Sequence, residues 1–272
     1  MIARRLGHVA AGTAAVASFA AIPAPAAGAA GDAIALPPAP SVGQSANLLV
    51  SIETVSAGAA GDGTLSVGFA LNRAVTAVDP GGGTFTVDST VGNVEVAQAP
   101  AGYDASKFDA LDGVTVQQVF AFTANPTGPR SVIAGAASPT QETAGQQLLD
   151  WLGATVITYP AEPVAVGHSW MSGGATASTT GVEVGVGLQC RLAAVADGSY
   201  TVELSYAQTF SAPATAIGHV DGTISGQGTL VGRLDNPLSV TGTLDQSIDG
   251  IASRDGVAAH LAATTSIAIR SG

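Results

Sequence analysis

The chain has 272 residues, of which 46% are hydrophobic and only 11% charged, and its formal net charge is −11. So low a charged fraction, with abundant Val and Thr, argues against disorder, because disordered chains are charged and poor in β-branched residues. The cations are scattered and only Lys107 is a lysine, so no basic patch exists to neutralise phosphates or anionic lipid heads, and no nucleic-acid partner is expected.

Residues 1–29 read as a secretory signal. Arg4 and Arg5 form a positive start, Leu6 to Ile22 is uncharged, and "APAAGAA" offers small-residue cleavage sites. Cleavage near Ala29 removes Arg4 and Arg5 and takes the net charge from −11 to −13. The expected location is secreted or in the extracytoplasmic cell envelope, with an N-terminal membrane anchor if the signal is retained. No later segment has ~18 uninterrupted apolar residues. Residues 30–44, containing "ALPPAPSVGQ", read as a stiff Pro/Ala-rich linker.

Residues 45–272 read as a single β-rich domain. Ser45–Val55, Thr64–Leu71, Thr84–Val96 and Val114–Phe122 have strand character, punctuated by Gly81-Gly82-Gly83 and Asp112-Gly113. A helix is expected over "SPTQETAGQQLLDWLG". Ser138 caps it, Pro139 opens it, Gln141 completes a capping box and Gly153 stops it. Leu148, Leu149, Trp151 and Leu152 give it an apolar face.

"TYPAEPVAVGHSW" follows. Pro160 ends a strand, Pro163 holds an extended crossover, Gly167 turns it, and Trp170 anchors the next strand. The stretch "PAEPVAVGHSW" resembles the P-x-E-P-V-G-V-G-x-x-W signature of a secreted, high-GC bacterial domain family of unknown function. "FDALDGVTV" upstream and "GQGTLVGRLDNPLSVTGTL" downstream resemble other parts of that family, with Ala165 departing where the pattern has glycine. The resemblance implies no reaction and no catalytic residues. A looser fold-level likeness is to LolA-like and LppX-like lipid carriers, in which a curved sheet and a helix enclose a cavity.

The C-terminal half alternates cleanly. Val182, Val184, Val186, Leu188, Cys190 and Leu192 oppose Glu183, Gly185, Gly187, Gln189 and Arg191. The lone cysteine therefore reads as a buried hydrophobe. Tyr200 to Phe210, Val220 to Leu230, Leu238 to Ile248 and Val257 to Ile269 repeat the pattern, and Asp197-Gly198 signals a hairpin. The expected fold is mainly β. It is a long antiparallel meander forming a curved sheet, half-barrel or barrel-like, with one principal α-helix packed on it.

Motifs for chemistry are sparse. His168, His219 and His260 show no metal-ligand spacing, and no G-x-S-x-G elbow is present. "GAAGDG" and "PGGGT" lack the Gly-Lys-Ser/Thr ending of a phosphate loop. His219 and Asp221 share the wet face of one strand and His260 that of another. No catalytic residue, metal or cofactor is expected, and the protein reads as non-enzymatic. Glycines fall in the apolar phase, so Gly222, Gly226, Gly228, Leu230 and Leu244 are candidates to line a cavity for an apolar small molecule or lipid. The alternative is a structural or interaction module that meets an envelope protein.

Overall fold

The computed structural model describes residues 33–59, 61–101, 103–104, 106–124, 127, 131–133, 157–179, 182–215 and 218–272. The expected signal (1–29) and the helix expected over 138–153 lie outside the described residues. Apolar residues at every second position give each strand one face that must be covered and one that can meet water. The N-terminal strands are β1 (Ser45–Gly58), β2 (Gly63–Asp79), β3 (Thr84–Gln98), β4 (Thr115–Ala121) and β5 (Ser131–Ile133). The C-terminal strands are β6 (Ser169–Thr179), β7 (Val182–Ala196), β8 (Ser199–Thr215), β9 (Gly218–Arg233), β10 (Asn236–Arg254) and β11 (Val257–Ser271).

All eleven form a single antiparallel sheet in the order β5-β4-β3-β2-β1-β11-β10-β9-β8-β7-β6. Two meanders are thus joined where the first strand pairs with the last, from Leu48↔Ser271 to Gly58↔Leu261. Tight hairpins set the register within the second meander. Asp197-Gly198 and Asp255-Gly256 each place two consecutive residues at positive φ, the turn geometry that matches strand twist. They connect Ala196↔Ser199 and Arg254↔Val257.

Two parts of the expected fold need correction. The sheet is open: β5 and β6 are its two ends, and they do not pair with each other. No principal helix packs on it among the described residues, where the only helix is the single turn α1 (Ser106–Asp109). The inner face is covered instead by other parts of the chain. Leu238 of β10 is buried with Val75, Phe85, Val87 and Phe120 of β2–β4, so the sheet rolls until distant strands share a core. Ile157, Tyr159 and Val164 pack on the inner residues of β7–β11.

Residues 157–160 form no strand, contrary to the expectation that one ends at Pro160. They bridge the rolled sheet instead. The Tyr159 amide donates to the Thr123 carbonyl beyond β4 at 2.8 Å. On the other side the Thr158 amide donates to Ser172 Oγ of β6 at 2.8 Å, and Trp170 Nε1 donates to the Thr158 carbonyl at 2.8 Å. The stretch assigned by composition to a linker also joins the body. Ile34 exchanges two backbone hydrogen bonds with Val164, at 2.9 and 2.8 Å, and Leu36 is buried in the same core.

Glycines let β8, β9 and β10 come close. The ring of Tyr200 lies over its cross-strand partner Gly232, and the ring of Tyr206 over Gly226. In each case the aromatic occupies the space that a Cβ would need. Tyr200 cannot easily swing aside, because its hydroxyl bonds Tyr159 Oη at 3.0 Å and its side chain is fully buried. Gly232→Ala should therefore cost about 1–3 kcal/mol, the range for overpacking a filled site. Urea denaturation in the wild-type and Tyr200→Leu backgrounds checks it. Most of the cost should vanish with the ring, and an equal cost in both backgrounds would show that the ring is not the obstacle.

Candidate functional site

The inner face carries an apolar cleft. Leu188 of β7, Leu204 of β8, Leu230 of β9, Leu244 of β10 and Ile267 of β11 point into it from successive strands, with Ile157 beside them. It holds about 20 Å³ of free room, enough for one water-sized or methyl-sized group. Of the five residues expected to line a cavity, Leu230 and Leu244 do so. Gly226 lies beneath Tyr206. Gly222 and Gly228 sit where the backbone of β10 passes too close for any side chain, against the Asp249 and Thr243 carbonyls.

A polar row beside the cleft escaped the sequence reading. Cross-strand register aligns Tyr206, Gly226, Gln246, Thr265 and Thr54 across β8, β9, β10, β11 and β1. Tyr206 Oη donates to Gln246 Oε1 at 3.0 Å, and the Thr54 and Thr265 hydroxyls bond each other at 3.0 Å. A second inner polar group comprises Arg73 of β2, Ser89 of β3 and Gln118 of β4. The signal for both was a polar residue in apolar phase: Gln246 between Leu244 and Ile248, Arg73 between Leu71 and Val75, Gln118 between Val116 and Phe120.

On the outer face, His219 Nε2 lies 2.9 Å from Ser211 Oγ and 3.3 Å from Asp221 Oδ1. A nucleophile–base–acid relay needs the hydroxyl and the carboxylate on opposite ring nitrogens. Here both meet the same nitrogen, and all three groups are exposed, so the arrangement is a solvated cluster. Hydrogen bonding from Ser211, helped by His219, holds the Asp221 carboxyl below its usual range. His260 Nε2 bonds Asp249 Oδ2 at 3.1 Å as a separate exposed pair. His168 stacks on Trp170 with ring centroids 6.4 Å apart. No group of three His, Cys, Asp or Glu side chains that could hold a metal occurs among the described residues.

With this geometry in hand, neither a protein-family model nor a curated protein sequence matches the chain.

Burial governs the titration of the inner face. It pushes the Cys190 thiol and the Tyr206 hydroxyl each up to about 12. Burial also raises Tyr200, and it raises Tyr159 well above the usual phenol range, with Tyr200 adding to the effect. These acids keep their protons longer in the folded chain than in the unfolded one. Stability is therefore unaffected below the unfolded values, 9.0 for the thiol and 10.0 for the phenols, and falls as pH climbs from there towards about 12. Urea midpoints measured upward from about pH 8 should decline only past about pH 9–10. A thiol reagent at about pH 8 should label Cys190 only after unfolding, and rapid native labelling would contradict its burial.

Proposed function

We propose that this is a non-enzymatic protein, secreted or held in the extracytoplasmic envelope, that binds an apolar ligand on the inner face of its rolled sheet. The carrying observation is the cleft itself: five successive strands each contribute an inward aliphatic residue, and its lining is almost wholly apolar. The room among the described residues fits the end of a hydrocarbon chain. It falls well short of the ~300 Å³ or more of an ordinary small-molecule pocket. The secretory signal expected over residues 1–29 suits the same reading.

A second reading, a structural or protein-interaction module of the envelope, is favoured by one observation. The inner face of β8 and β9 is filled by Tyr200 and Tyr206 lying over Gly232 and Gly226, as in a core built for packing.

Native mass spectrometry of protein purified gently from its own envelope fraction separates the two. The ligand reading expects a mass excess that solvent extraction releases as an apolar compound, and its loss in Leu244→Trp, which fills the cleft. A bare mass in the wild-type protein would overturn that reading and leave the interaction module.

A further inference from the structure

The inner face of β2–β4 has a polar break between two apolar clusters. Leu71, Val91 and Val116 lie on one side, and Val75, Val87 and Phe120 on the other. At the break Arg73 pairs in register with Ser89, and Gln118 sits diagonally beyond it, opposite Val87. Ser89 and Gln118 are each only 4% exposed. Arg73 Nε and Gln118 Nε2 are both sealed from solvent, and neither has a hydrogen-bond partner. Among the described residues no carboxylate pairs with Arg73.

Arg73 as a whole is only partly buried, but a sealed donor without an acceptor is costly, and more so when it belongs to a charged group. Burial pulls the Arg73 guanidinium down to about 10, which still leaves it charged at neutral pH. Two unsatisfied N–H donors, one on a cation, call for a planar anion with two acceptor oxygens. The Arg73 Nε–H can donate to one oxygen of a carboxylate with a charge-assisted bond, and the Gln118 amide NH₂ can donate to the other.

We propose that Arg73 and Gln118, flanking Ser89, form a binding site for the carboxylate of a small-molecule ligand. The site lies on the opposite half of the sheet from the leucine-lined cleft and stands independently of the apolar-ligand reading.

Thermal unfolding of the purified protein tests it, with sodium acetate and, below its micelle concentration, sodium dodecanoate as probes against matched sodium chloride. Saturating carboxylate should raise the wild-type Tm by ~5 °C and leave Arg73→Met unmoved. Gln118→Leu and Arg73→Lys, which lacks the Nε–H, should need roughly tenfold more carboxylate for the same rise. A rise with dodecanoate alone assigns the carboxylate to the head of an acyl chain, and a rise with both assigns a free small acid. The proposal fails if neither probe moves the wild-type protein, or if Arg73→Met responds equally. Failure with Arg73→Met melting above the wild type would mark Arg73 as a buried cation that only costs stability.

Discussion

The pairing of β1 with β11 is the contact on which the architecture rests. It joins strands more than 200 residues apart in register, from Leu48↔Ser271 to Gly58↔Leu261. Without it the chain would be two meanders, each with an apolar face and a long exposed edge. With it, the eleven strands are continuous in one sheet, and only β5 and β6 are left at the ends. Those ends then face the problem of every open sheet, unpaired backbone groups. The bridging segment ties β6 to the far side of the roll rather than extending either edge: the Thr158 backbone bonds the Trp170 and Ser172 side chains, and the Tyr159 amide bonds the Thr123 carbonyl beyond β4.

Strand pairing decides what the glycines of the sheet do. Within their own strand Gly226 and Gly232 are gaps on the apolar face. Tyr206 and Tyr200 lean from the adjacent strand into those gaps, while Gly222 and Gly228 admit the neighbouring backbone. Small residues in apolar phase fit both an empty cavity and a close-packed one. Here most of them pack, and the remaining room is gathered where β7 to β11 present leucine and isoleucine instead. The tyrosines also bring hydroxyls inside: Tyr200 bonds Tyr159, and Tyr206 donates to Gln246, as buried polar groups must.

The inner face is therefore heterogeneous. One polar row is satisfied internally by Tyr206, Gln246, Thr54 and Thr265. The group around Arg73 and Gln118 is not, and that difference is what separates a structural polar row from a candidate ligand site. The outer face, by contrast, carries its histidines and aspartates in water, where pairing contributes little.

The strands and their faces were legible in the sequence because period-2 alternation is a local property. Val184 to Leu192 declares its inner face without reference to any partner, and Asp197-Gly198 declares a hairpin through two residues that tolerate positive φ. The polar intruders Arg73, Gln118 and Gln246 were visible in principle, as breaks in that alternation. The inner lining of Leu230 and Leu244 followed from phase, but the fates of Gly222, Gly226 and Gly228 did not. Whether a missing side chain leaves a void or receives a ring depends on the residue opposite, and that requires register. The sequence by itself determined a β-rich body, most of its long strands, the Asp197-Gly198 hairpin and the apolar phase of the C-terminal strands. Only the tertiary structure decided that β1 meets β11, that the sheet stays open, that Ile34 and Leu36 dock on the body, and which inward polar groups find partners. Alternation specifies a face, whereas pairing across two hundred residues is set by the combined packing of every strand between.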